Sequence, residues 1–169
     1  MLTRNFLAIT FVAICFASFP AEAADMEKPA GPVVLTITGE ISQTNSSGGA
    51  EFDIAMLEGL PGRTAEVDTP WSEGRERYTG PFLRGLLDVV GAKGGTLRVR
   101  ALNDYVAEIP LEDVMKHEVI LATRRDGSLM SPRERGPLFV IYPFDLEPDL
   151  YNELIFSRSV WQVSSIHVE

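Results

Sequence analysis

A single cysteine, Cys15, is the only thiol in these 169 residues, and it lies in a segment with the marks of removal. Arg4 precedes an apolar stretch from Phe6 to Phe19, and Ala21-Glu22-Ala23 offers the small-x-small pattern that an export peptidase reads. The apolar stretch is too short to span a bilayer. Residues 1–23 are therefore expected to be a signal peptide cut after Ala23, which leaves a mature chain without a thiol. That excludes disulfides, thiolate nucleophiles and cysteine-ligated metals in one step. The fold must rest on packing. Losing 23 of the 169 residues leaves 146, one domain's worth, and a chain of that size buries about 68–70% of its unfolded surface without staples.

Charge narrows the partners. Arg4 and Glu22 leave together, so the mature chain keeps the net −9 of the full sequence. An acidic balance of this size disfavours nucleic acid and anionic membranes. No later stretch approaches the about 18 apolar residues of a membrane helix, so no stable insertion is expected after cleavage. The address implied is the periplasm or the medium.

Residues 24–32, with two prolines and several charges, read as a flexible lead-in to a domain over 33–169. Val33, Leu35 and Ile37 alternate with Val34, Thr36 and Thr38 as a strand. Ser42 to Gly49 is a polar loop. Asp53 caps a short helix with Phe52 and Leu57 at staple spacing, and Pro61-Gly62 ends it. A strand follows at 63–68. Pro81 opens the strongest helix, where Phe82, Leu83, Leu86, Leu87 and Val90 form one stripe before Gly91. Gly85 within it costs about 1 kcal/mol against alanine, which suggests a close approach to its backbone. Residues 97–101 and 105–109 form a hairpin around Asn103-Asp104. A helix at 111–117 leads to a strand at 119–122 and a turn at Asp126-Gly127. Leu138 to Tyr142 is an apolar strand, and 159–168 is the last, with a kink at Ser164-Ser165. Phe139 and Trp161 are expected in the core. Strands dominate, helices are short, and no linker divides the chain: the class is α+β, β-rich.

His117 and His167 stand alone, without a second histidine at ligand spacing, so no metal site is expected. There is no Gly-x-Ser-x-Gly elbow and no glycine-rich phosphate loop. Arg124 and Arg125 on one side of a turn, with Arg133 and Arg135 on the other, reverse the local sign in an acidic chain. Guanidinium groups so placed suit a small anion; the plainer reading is a solvated turn neutralised by Asp126 and Glu134. Asn103-Asp104-Tyr105 is either part of a site or ordinary turn chemistry.

From Tyr78 onward the order of elements resembles the oxidoreductase molybdopterin-binding domain, the fold of sulfite oxidase and its bacterial relatives. The resemblance rests on Tyr78-Thr-Gly-Pro-Phe-Leu-Arg-Gly-Leu-Leu-Asp88, Asn103-Asp-Tyr105, Ile109-Pro-Leu111, Ile120-Leu-Ala122 and Asp126-Gly127. Gly136-Pro-Leu138 with Tyr142-Pro143, then Ser159-Val-Trp161 with Ile166, complete it. It implies a mixed, β-rich fold and a molybdopterin cofactor. Two departures accompany it. The cysteine that binds molybdenum in catalytic members would fall at Asp68, Thr69, Pro70 or Trp71, and Phe139 stands where such members carry an arginine. Hard oxygen donors do not substitute for a soft thiolate.

Three readings follow. The first is an exported, non-catalytic binding or sensing module without cofactor, whose ligand is a small anion or a periplasmic protein. Its candidate face comprises Trp71, Arg84, Asn103, Tyr105, Arg124, Arg125, Arg133 and Arg135. The second is an oxidoreductase holding molybdopterin by hydrogen bonds alone. The third is an assembly partner of a membrane complex.

Overall fold

The structure, a computed structural model, describes residues 26–169; the signal peptide expected over 1–23 lies outside the described residues. Eleven strands and four short α-helices follow in order among them. They are β1 (Leu35–Gly39), β2 (Ala50–Phe52), α1 (Ile54–Glu58), β3 (Gly62–Asp68), β4 (Arg75–Pro81), α2 (Leu83–Val89), β5 (Thr96–Ala101) and β6 (Val106–Pro110). After these come α3 (Leu111–Lys116), β7 (Ile120–Ala122), β8 (Arg124–Arg125), β9 (Ser128–Leu129), β10 (Phe139–Ile141), α4 (Glu153–Arg158) and β11 (Val163–Val168).

The main sheet runs β2-β1-β11-β5-β6, with β1 parallel to β11 and the other pairings antiparallel. Alternation builds it: Leu35, Ile37, Leu97, Val99 and Ile109 are wholly buried, while Arg98, Arg100 and Glu108 face water. A second sheet runs β3-β4-β8-β9, and β7 pairs with β10 beside it. Both β7 and β10 are buried on both faces, as their unbroken apolar runs require. The fold is α+β and strand-rich, as the sequence implies.

Several elements differ from the sequence reading. The lead-in is tied down. Asn45 Nδ2 donates to the Glu27 carbonyl at 2.7 Å, and Asp53 Oδ2 accepts from the amides of Ala30 and Gly31 at 2.9 and 2.7 Å. Strands β2 and β4 stand where the sequence reading assigns no element over 50–52 and 75–80. Pro81 closes β4 opposite Gly62, and the α2 cap position falls to Phe82, whose neighbour Leu83 donates its amide to the Val119 carbonyl at 2.9 Å. Gly85 faces open space: a Cβ there would meet nothing within 4 Å among the described residues. Residues 159–162 are not strand; α4 and a turn precede β11, whose register does shift between Val163 and Ser165. Phe139 is wholly buried, but Trp161 is only partly so and reaches the surface.

Candidate functional site

Four segments converge on one groove of about 350 Å³: the turn after β3, the β5–β6 hairpin turn, α4, and the residues entering β11. Each is held by its own local chemistry. In the first, the Thr69 and Ser72 hydroxyls bond at 2.9 Å and Ser72 donates its amide to the Thr69 carbonyl at 3.3 Å. This closed turn presents Trp71. In the second, Asp104 adopts a left-handed φ of 65°, which aspartate tolerates, and Asn103 Oδ1 accepts from the Tyr105 amide at 3.2 Å. Asn103 and Tyr105 are thereby turned to the groove's edge.

The third wall is α4. Asn152 caps it by accepting from the Ile155 amide at 3.2 Å, Ile155 is buried, and Ser159 Oγ donates to the Ile155 carbonyl at 2.9 Å. Arg158 Nη1 donates to Asp113 Oδ2 at 2.7 Å, and the buried Tyr142 hydroxyl donates to the same oxygen at 3.1 Å. Burial and the Asp113 charge both hold the Tyr142 phenol well above the usual tyrosine range, so it stays a neutral donor. Across the groove, Tyr105 Oη donates to the Ser157 carbonyl at 2.9 Å, bridging hairpin and helix.

Trp71 is the hub of the floor. Its ring meets Trp161 at 5.4 Å between centroids and Phe139 and Phe156 at 5.8 Å each, all tilted or edge-on. Its carbonyl accepts from Arg135 Nη2. Phe139 in turn meets the buried Tyr78 edge-on at 5.4 Å. Desolvation, then the neighbouring Glu76 carboxylate, holds the Tyr78 phenol above its ordinary range.

Trp71, Asn103 and Tyr105, singled out from the sequence, are brought together here. The other candidates are not. Arg84 sits on α2, with its guanidinium 4.7 Å from the Phe82 ring centroid and 4.0 Å from Glu118. Arg124 grips Glu58 with two nitrogens, at 2.7 and 3.0 Å, and this pairing depresses the Glu58 carboxyl's pKa. Arg125 pairs with Glu76 at 3.5 Å and Glu134 at 3.2 Å. Arg133 is exposed, and Arg135 is spent on Trp71. The arginines of the turn therefore do not gather at this groove. Residues that sequence reading missed at the groove are Glu153, Phe156 and Ser157, because α4 was not recognised, and Trp161, which was expected in the core. The signal of α4 was Asn152 three residues before Ile155, a capping spacing in too short an apolar run.

A β-rich α+β domain with its groove at the hairpin turn defines the class of this protein. The chain belongs to the oxidoreductase molybdopterin binding domain family, whose sequence pattern matches residues 56–146. Among proteins of curated function none matches it significantly. The match includes Trp71, Asn103 and Tyr105; Glu153, Phe156 and Trp161 lie beyond it.

The family implies a molybdopterin, and the residues at the implied thiolate position can be tested against it. Asp68 is exposed and faces Arg75 at 3.8 Å. Thr69 is buried with its hydroxyl engaged by Ser72, Pro70 has no side-chain donor, and the Trp71 indole is packed among other rings. None is a soft ligand. Among the described residues no three of His, Cys, Asp and Glu gather as a metal site. This donor set does not fit a thiolate-ligated molybdenum.

Proposed function

We propose that this protein is a non-catalytic binding module, exported and built on the molybdopterin-oxidoreductase fold, with the groove beside Trp71 as its ligand site. One observation carries the reading. Where the family's resemblance implies a metal-binding thiolate, the chain places a locked hydroxyl turn and an indole that forms the floor of an open, aromatic groove. A groove of this volume with few polar groups at its edge is the usual form of a small-molecule site. Sensing follows if occupancy is relayed to a periplasmic protein, because the groove joins α4 to the hairpin turn and a ligand spanning them would stiffen both.

Export rests on the leader over 1–23, and mass spectrometry of the secreted protein is expected to find Ala24 at the N-terminus. The binding reading is tested by metal analysis and pterin fluorescence of protein purified from its native compartment. Molybdenum and pterin at background are expected. Stoichiometric molybdopterin would overturn the proposal in favour of an oxidoreductase that holds its cofactor by hydrogen bonds.

A further inference from the structure

The groove's lining decides the sign of what it can hold. Trp71, Trp161, Phe156 and Tyr105 contribute four rings, whose faces carry the negative end of the aromatic quadrupole. Among the described residues, Glu153, the first of α4, is the only charged side chain in the lining, and none of their ion pairs engages it. Three arginines that adjoin lining residues are committed elsewhere. Arg135 donates to the Trp71 carbonyl, Arg158 to Asp113 at 2.7 Å, and Arg100 to Asp104 at 3.0 Å. The hydroxyls are committed too: Tyr105 donates to the Ser157 carbonyl and Ser159 to the Ile155 carbonyl, so both present lone pairs rather than protons. An anion entering here would meet the Glu153 carboxylate and aromatic rings in a chain of net −9, with no positive charge in the lining and only the Asn103 NH₂ and the two indole N–H groups as neutral donors.

We infer that the groove takes a small organic cation, an alkylated or quaternary ammonium group seated against the tryptophan and tyrosine rings with Glu153 as its counter-charge. This rests on the binding-module reading and reverses the charge of the ligand expected from the arginine turn. The Asn103 carboxamide, whose oxygen is taken by the Tyr105 amide, leaves its NH₂ to donate to a hydroxyl or carbonyl elsewhere on such a ligand.

Choline is a suitable probe, beside its uncharged carbon analogue (a tert-butyl group in place of trimethylammonium) and sulfate. Calorimetric and tryptophan-fluorescence titrations of the mature protein are expected to show choline binding, with the uncharged analogue about fivefold weaker or more. Glu153→Gln, which keeps the shape of an exposed side chain, is expected to weaken choline about three- to fivefold and leave the analogue unchanged. Trp161→Leu is expected to abolish the preference for the cation, and Trp161→Phe to retain most of it. Equal binding of choline and its analogue, preference for sulfate, or indifference of choline to Glu153→Gln would each overturn the cation assignment. Each would leave an occupied groove, and so the binding-module reading, standing. Failure of choline to bind overturns the assignment as well. Molybdopterin co-purifying with the protein is the separate result that defeats the underlying reading.

Discussion

Asp53 is one carboxylate with two structural tasks on its two oxygens. Oδ1 accepts from the Met56 amide at 2.9 Å and caps α1; Oδ2 accepts from the amides of Ala30 and Gly31 and fastens the lead-in to the domain. Those amides, Met56's and Gly31's foremost, hold its carboxyl below the ordinary range. The two tasks can be separated. Asparagine caps a helix about as well as aspartate, but its NH₂ would confront the two lead-in donors. Asp53→Asn is therefore expected to keep α1 and release residues 26–31, seen as faster amide exchange at Ala30 and Gly31 with little change at Met56. Asp53→Ala is expected to speed exchange at all three amides and lower the melting temperature further. Equal exchange in both variants would show that the carboxylate does not act through separate oxygens. The capping half of this was legible, since Phe52, Asp53 and Leu57 form a local pattern. The fastening half was not, because it links residues more than twenty apart and leaves no periodicity in either segment.

Elements were readable where one face alternates strictly and unreadable where backbone geometry governs. Leu97, Val99 and Ala101 against Arg98 and Arg100 marked β5 plainly. The strand β4 carries the same alternation in Tyr78 and Gly80, but glycine erases the apolar signal at the position where contact is closest. A Cβ added to Gly80 would lie 2.2 Å from the Leu121 carbonyl oxygen and 2.6 Å from the Ala122 Cα, both backbone atoms of β7. Gly80 is what lets the second sheet press against β7. Gly85 stands in the opposite situation, inside α2 with open space around it. Gly80→Ala is thus expected to destabilise the fold severely, with loss of soluble protein or a greatly lowered urea midpoint. Gly85→Ala is expected to raise stability by about 0.5–1 kcal/mol through helix propensity alone. If both substitutions were mild, β4 and β7 would not be in backbone contact. The site followed the same division. Trp71, Asn103 and Tyr105 belong to turns with recognisable residues, whereas Glu153 and Trp161 come from a six-residue helix and its exit, too short to show a period.

Across the whole molecule, ion pairs and caps join segments far apart in sequence, and their protonation sets the limits of stability. Glu58 is held below its ordinary pKa by Arg124, with Thr123 assisting, and joins α1 to β8; Glu134 is held low mainly by Ser131, at the turn beside β10. With Asp53, these carboxyls bind protons less readily in the folded chain than in the unfolded one, where they titrate at about 4. Their contribution is therefore complete above about 4 and is lost as pH falls through the depressed folded values. Tyr78 and Tyr142 work in the other direction. Their phenols are raised, by burial first and then by Glu76 and Asp113, so they contribute fully below the unfolded tyrosine value of about 10 and lose that contribution above it. The melting temperature is accordingly expected to fall along an acid limb below about 4 and an alkaline limb above about 10. Glu58→Gln should flatten part of the first limb and leave the second; Tyr142→Phe should flatten part of the second and leave the first. Circular-dichroism melts of the three proteins across the pH range decide it. A wild-type alkaline limb that survives Tyr142→Phe undiminished would remove the Asp113–Tyr142 contact from the account of alkaline stability.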